Sequence, residues 1–185
     1  VNYGQRAQRE LQAAQAVATA VDAVQHMIYP MDLTLWGGSA LTDERIAIPT
    51  GGVDETAIPV TYVPARNTIL LSLALSWAEV LGAQAIYIGV NDLDYSGYPD
   101  CRPEFIAAYQ QLVNVATKAT VQGTAIRIAT PLQKLSKIAI VRRAFDLHVP
   151  LDLTWSCYTN HDQPCGVCDS CRLREDAIAQ VRRER

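Results

Sequence analysis

The stretch Ala85-Ile86-Tyr87-Ile88-Gly89-Val90 decides how the rest of the chain is read. It is apolar throughout and of strand length. A strand with one face in water alternates apolar and polar residues, so a run without alternation predicts a strand buried on both faces, as in a parallel sheet. Helical patterns flank it. Residues 67–81 read as a helix ended by Gly82 in a C-cap position. Residues 103–121 read as another, with Pro103 suited to the first turn. Further out, Leu11, Ala14, Val17, Ala18, Val21 and Val24 recur three and four apart, which predicts a helix over 5–27. Residues 28–35 are short and apolar with Pro30 inside, a strand or strand end, and Trp36-Gly37-Gly38-Ser39 is a turn. Residues 125–129 form another short strand, 136–145 a helix with Ser136 as N-cap, and 169–183 a final polar helix. Strands alternating with helices predict an α/β fold with a parallel sheet and helices on both faces. Ligands in such sheets sit at the carboxyl ends of the strands, which points to the loops at 1–6, 91–102 and 130–134. Residues 42–59 are polar and without a period, either a loop near a site or a long surface connection.

The chain has 185 residues, 49% apolar and 19% charged, which suits one domain with a sizeable core. Its net charge of −3 argues against a protein that coats nucleic acid. The longest apolar-rich run, 68–80, contains Ser72, Ser76 and Glu79 and falls short of the ~20 residues of a membrane span. Residues 1–10 are polar and lack the apolar centre of a signal peptide. A cytoplasmic protein without a membrane partner is expected. Val1 reads as the end of a strand, so further residues are expected upstream of it.

Four of the five cysteines crowd together as Cys157-x7-Cys165-x2-Cys168-x2-Cys171. Secreted disulfide frameworks spread their cysteines, whereas tight clusters hold metal. A Cys-x2-Cys turn lets two thiolates reach one ion at about 2.3 Å, and four complete a tetrahedron. Pro164 and Gly166 favour the turn. One structural Zn2+ with no open position is expected. An iron–sulfur cluster is the minor alternative, a redox disulfide pair is another, and His161 reads as a bystander.

The loop after the decisive strand, residues 91–102, carries three carboxylates, one thiol, one guanidinium and two phenols. Aromatic rings can stack on a flat heterocycle and carboxylates can accept from its amino groups. A solvated turn has about equal weight on composition alone. Cys101, taken alone, reads as a small buried hydrophobe more readily than as a nucleophile. Arg66 and Asn67 stand at a helix start, where amides and a guanidinium suit an anion. The alternative there, an Asn N-cap beside a surface Arg, is slightly favoured by these residues alone.

Taken together, Tyr3-Gly4-Gln5-Arg6, Gly37-Gly38-Ser39-Ala40-Leu41-Thr42, Val63-Pro64-Ala65-Arg66-Asn67, Asp94-Tyr95-Ser96-Gly97-Tyr98-Pro99-Asp100-Cys101-Arg102, Thr130-Pro131-Leu132 and Ser156-Cys157-Tyr158 with the three later cysteines resemble the 7-cyano-7-deazaguanine synthase family of queuosine biosynthesis. The matches run in family order over nearly the whole chain. The resemblance implies the adenine-nucleotide α-hydrolase-like fold of the PP-loop ATPases. It implies residues 1–150 as that α/β domain without its first strand and phosphate loop, and 151–185 as a zinc-binding segment and C-terminal helix of the same domain. The implied reaction turns 7-carboxy-7-deazaguanine, ammonia and ATP, with Mg2+, into 7-cyano-7-deazaguanine. Its course is activation of the carboxylate, amide formation, a second activation and dehydration to the nitrile.

On this resemblance Arg66, Asn67 and Cys101 are candidate catalytic residues. Asp94, Ser96, Tyr98, Asp100 and Arg102 are candidate substrate-binding residues, and Tyr3 is a candidate ATP contact. Cys157, Cys165, Cys168 and Cys171 are the candidate zinc ligands, and a homodimer is expected. The family's Ser-Gly-Gly-x-Asp-Ser phosphate loop precedes Tyr-Gly-Gln-Arg and is not in this sequence: a protein without it is expected to be inactive, and one that carries it ahead of Val1 is expected to be complete. Smaller departures are Ala65 where Gly is common, Ala7 where His is common, and Ala139 where an acidic residue is usual. Two other functions compete. A PP-loop ATPase acting on tRNA would add basic surface, which the net charge disfavours, so no direct nucleic-acid partner is expected. A non-enzymatic zinc-ribbon adaptor would not need the run 85–90 or the acidic–aromatic loop.

Overall fold

The computed structural model of the protein describes residues 1–50, 57–91 and 97–185. They form two compact units, Ala65–Ser136 and the combination of Val1–Pro64 with Lys137–Arg185.

The first of these units holds the decisive run. Strand β1 (Ala85–Tyr87) pairs in parallel with β2 (Arg127–Ala129), with Ile86 opposite Ile128. Ile88 continues the ladder by donating to the Ala129 carbonyl at 3.0 Å. The parallel pairing agrees with the sequence reading, but burial on both faces fails at Tyr87, which is 70% exposed. Its ring instead lies 5.9 Å from the Arg127 guanidinium. Helices α2 (Arg66–Leu81) and α3 (Pro103–Ala116) join the strands in one core. Leu71, Leu75 and Ala78 meet Ile86, Ile106, Tyr109, Val113, Ile126 and Ile128 there. Fully buried Leu71 contributes about 2–3 kcal/mol by leaving water. The far edge of β2 is closed by a side chain: Gln110 of α3 donates to the Ile126 carbonyl (3.0 Å) and accepts from the Ile128 amide (2.7 Å). That pairing satisfies backbone groups an edge strand leaves open.

The helix expected over 103–121 is two helices. Thr117 turns extended, at φ −124° and ψ 154°, and its side chain accepts the Thr120 amide to start α4 (Lys118–Val121). Threonine favours a cap over a helix interior for this reason.

In the second unit, helix α1 spans Arg9–Ala20 rather than 5–27. Residues ahead of it are held extended: Asn2 bridges Pro30 in parallel, Asn2 donates to the Tyr29 carbonyl, and Leu33 donates to the Tyr3 carbonyl. The strand expected over 28–35 is reduced to that single bridge. Pro30 fits because the bonds on either side of it use the Tyr29 carbonyl and the Met31 amide, leaving no donor demanded of the proline. Past Ala20 the chain turns left-handed at Asp22 (φ 51°), and the Ala23 and Asp22 amides reach back to Ala18 and Thr19. This Schellman closure explains why the apolar period through Val24 does not continue the helix. Gly82 closes α2 in the same way, with φ 65°.

Helix α5 (Lys137–Asp146) lies against α6 (Asp169–Glu184). The final helix is not polar all round: Ala177, Ile178 and Val181 pack on Val141, Ile138 and Phe145. Among the described residues no helix is long and apolar enough to cross a membrane.

Candidate functional site

The turn after β1 and the start of α2 form one buried, hydrogen-bonded group. Tyr98 is extended and Pro99–Cys101 makes a single turn of 3-10 helix. Arg102 is extended as well (φ −74°, ψ 153°), the conformation a following proline imposes, and Pro103 then opens α3. The Asn67 amide donates to Asp100 Oδ2 at 2.9 Å. The Asn67 side-chain Nδ2 donates to the Asp100 carbonyl at 3.0 Å and to Cys101 Sγ at 3.3 Å. Asn67, Asp100 and Cys101 are each at least nine-tenths buried. Helix α2 therefore has no local side-chain cap: Ala65 precedes it in the left-handed region (φ 53°), and the acceptor at its first turn comes from Asp100. The Asn67 N-cap considered from sequence is replaced by this longer-range one.

Arg66 is half-buried beside this group, Tyr98 is half-buried and Arg102 is exposed. Cys101 belongs to the hydrophobic core of its unit, as the simpler sequence reading had it. Asp94 and Ser96 lie outside the described residues. Two residues given no role from sequence complete the arrangement. Gln133, in the turn after β2, donates to the Cys101 carbonyl at 3.1 Å. Asn91, at the end of the decisive run, donates to the Leu132 (3.4 Å) and Leu135 carbonyls. An isolated glutamine or asparagine carries no motif, and only the adjacency of the turns after two parallel strands reveals these bonds.

In the other unit, Tyr3 is buried. Its amide donates to Gln5 Oε1 at 2.9 Å. Gly4 stands at φ 80°, and a side chain there would press on Thr34. The Arg6 guanidinium donates to the carbonyls of Ala40 and Ile46, both at 3.1 Å, while the Arg6 amide donates to Leu41. The Gly-Gly-Ser-Ala-Leu-Thr segment is thereby wound onto Tyr-Gly-Gln-Arg, with Ser39 fully buried and its Oγ accepting the Leu41 amide. Sequence motifs nearly forty residues apart are one structure here.

The same unit contains the cysteine cluster. The Sγ atoms of Cys157, Cys165, Cys168 and Cys171 all lie within 4.8 Å of one another, with Cys165 and Cys171 4.0 Å apart. A tetrahedron with Zn–S bonds near 2.3 Å places its sulfurs roughly 3.8 Å apart, so the four thiols fit one such ion. Backbone amides already point at the sulfurs: Cys165 N–H to Cys157 Sγ at 3.4 Å, and Cys168 N–H to Cys165 Sγ at 3.4 Å. Gly166, left-handed at φ 71°, makes the bend between them. Burial pushes the Cys168 and Cys171 thiols up. Burial also pushes Cys165 up, but amide donation from Val167 and Cys168 together with hydrogen bonds from the Cys157 and Cys168 thiols outweighs it and brings that thiol to about 6. His161 is exposed and is not one of the grouped residues.

Beside the cluster lies a cleft of about 500 Å³ whose lining includes Arg9, Trp155, Asp162 and Arg174. The Arg9 guanidinium sits 5.9 Å from the Trp155 ring, and Arg174 donates to Thr154 Oγ1 (2.7 Å) and the Leu151 carbonyl (2.8 Å).

Comparison with known proteins matches residues 1–182 to the family of queuosine biosynthesis protein QueC. The chain is 51% identical over 179 residues to the 7-cyano-7-deazaguanine synthase of Gloeothece citriformis, covering 97% of this chain and 78% of the relative. It is 57% identical over 180 residues to that of Dechloromonas aromatica, covering 96% and 80%. It is 56% identical over 180 residues to that of Pseudomonas paraeruginosa, with the same coverage.

Proposed function

The chain belongs to the QueC family of queuosine biosynthesis proteins, and from that premise we propose that it acts as a 7-cyano-7-deazaguanine synthase. The observation that carries this reading is identity of 50% or more, over nearly the whole chain, to relatives bearing that name. The substrates are 7-carboxy-7-deazaguanine, ammonia and ATP, with Mg2+ alongside the nucleotide. A carboxylate is a poor electrophile. ATP converts it to a mixed anhydride with a phosphate-type leaving group, ammonia displaces that group to give the amide, and a second ATP activates the amide oxygen, which leaves with the phosphate-type group as two protons are lost and the nitrile forms.

Arg66, half-buried at the start of α2, holds the substrate carboxylate or the phosphates, where a guanidinium and a helix N-terminus both favour negative charge. Tyr98 and Arg102 line the deazaguanine pocket together with Asp94 and Ser96. Asp100 and Asn67 shape that pocket from beneath, since their polar groups are engaged with each other. Cys101 lies near the reacting carbon, and Tyr3 contacts ATP. Cys157, Cys165, Cys168 and Cys171 hold one Zn2+, which supplies a structural clamp, because four protein sulfurs leave no position for water or substrate. The enzyme works as a cytoplasmic homodimer.

The test is incubation of the protein, including any residues that precede Val1, with ATP, ammonium and 7-carboxy-7-deazaguanine, followed by mass detection of the nitrile. Nitrile that depends on all three supports the reading, and none under saturating conditions overturns it. Arg66→Ala is expected to abolish product while zinc content stays unchanged. Near-normal turnover of that variant removes Arg66 from the mechanism.

A further inference from the structure

We propose that Gln133 is a positioning residue of the nitrile-forming site: it grips the Cys101 carbonyl and so sets the orientation of the turn that presents Tyr98 and Arg102 to the substrate. The inference rests on the function proposed above and assigns a role to a residue that no motif contains.

Gln133 is 8% exposed. Its Nε2 donates to the Cys101 carbonyl at 3.1 Å, and its Oε1 accepts from Thr130 Oγ1 at 3.1 Å. Both ends of the amide are partnered, which fixes its orientation: an exchanged amide would face a carbonyl with an oxygen. The Gln133 amide donates to the Thr130 carbonyl, so the side chain springs from a closed turn directly after β2.

Three of the bonds that hold Cys101 bear on the peptide it grips. The Cys101 amide donates to the Tyr98 carbonyl, Cys101 Sγ accepts from Asn67, and the Cys101 carbonyl accepts from Gln133. The first bond is local to the turn, and the second comes from α2. Only the third comes from the turn after β2, and it acts on the peptide linking Cys101 to Arg102. Rotation of that peptide changes the direction in which the Arg102 side chain leaves the backbone. The first two bonds hold the amide and the thiol of Cys101, and the third holds its carbonyl. A glutamine that only filled space would need neither bond, and a buried carbonyl left without a donor costs free energy on the order of 1–3 kcal/mol. Gln133 thus couples the two strand ends at the place where a parallel sheet receives its ligand.

The experiment compares wild type, Gln133→Met and Gln133→Glu by steady-state nitrile formation. Methionine keeps the length and the burial but donates nothing. A purely structural loss lowers the amount of active enzyme, and so the apparent kcat, and leaves KM where it was. Loss of positioning raises KM for 7-carboxy-7-deazaguanine, by roughly ten-fold for one lost hydrogen bond, and leaves KM for ATP within two-fold. Gln133→Glu adds a signature of its own. Its protonated carboxyl can donate to the Cys101 carbonyl, whereas its carboxylate repels it. KM for the deazaguanine in this variant should therefore climb with pH through the range where the carboxyl ionises, and Gln133→Met should show no such climb. An unchanged deazaguanine KM in Gln133→Met, or equal increases in both KM values, overturns the inference while leaving the proposed function standing. Absence of nitrile from the wild type overturns both.

Discussion

Replacing Asp100 by Ala removes the acceptor at the first turn of α2. The Asn67 amide, which donates to Asp100 Oδ2 at 2.9 Å, then has no partner in a buried place. Capping acceptors contribute about 0.5–2 kcal/mol, and a buried donor left unsatisfied costs about 1–3 kcal/mol. These describe the same bond and are not added, so the expected loss is about 2–3 kcal/mol. For a chain of this size each 1 kcal/mol moves the melting temperature by roughly 2–4 °C, which gives a drop of about 4–12 °C. Asp100→Asn keeps an oxygen in the same position and weakens the bond by about half, so its loss should be near 1 kcal/mol. The assay is urea unfolding followed by circular dichroism, paired with hydrogen exchange of the α2 amides. The Asn67 amide should lose protection in Asp100→Ala before the middle of the helix does. If Asp100→Ala stays within about 0.5 kcal/mol of wild type, or Asp100→Asn is as damaging, the carboxylate is not the cap and the reasoning is wrong.

With the proposed zinc bound, replacing Cys168 by Ser should release it and lower the melting temperature, since a structural zinc site contributes folding free energy directly; unchanged zinc by elemental analysis would contradict the four-sulfur site. Gly4→Ala should destabilise by about 2 kcal/mol or more, because the added Cβ meets Thr34 Cγ2 at 2.6 Å and the backbone is left-handed there, a loss readable by urea denaturation. Ala65→Gly should stabilise by roughly 1 kcal/mol, because alanine at φ 53° carries the left-handed penalty that glycine escapes; a lower melting temperature would refute that account.

Much of the fold was legible in the sequence. The first half of the apolar run 85–90, Ala85–Tyr87, does form a parallel strand with helices before and after it, and Gly82 does end α2. The errors have specific causes. A three-to-four period marks a face that can be buried but says nothing of where the helix stops, so the period of α1 runs on through Val24, past a Schellman closure that uses Asp22 in place of glycine. The period also runs through Thr117, where a side-chain cap restarts the helix. The exposure of Tyr87 is not legible in the sequence because apolar composition does not say whether anything covers a face.

The cysteine cluster was readable from spacing alone, because two Cys-x2-Cys steps sharing Cys168 leave the thiols little freedom to point elsewhere, and the structure gathers all four. Family membership was readable for a similar reason: short motifs in a fixed order are a property of the chain. What Asp100 does was not. The sequence marks Asp100 as a carboxylate of the ligand loop and a candidate substrate contact, and tertiary structure makes it the cap of a helix that begins more than thirty residues earlier. Gln133 was invisible for the same reason. Local propensity and spacing determine elements and cysteine knuckles because their partners are neighbours in sequence. A hydrogen bond between two strand-end turns exists only once the parallel pairing of β1 and β2 has brought those turns together.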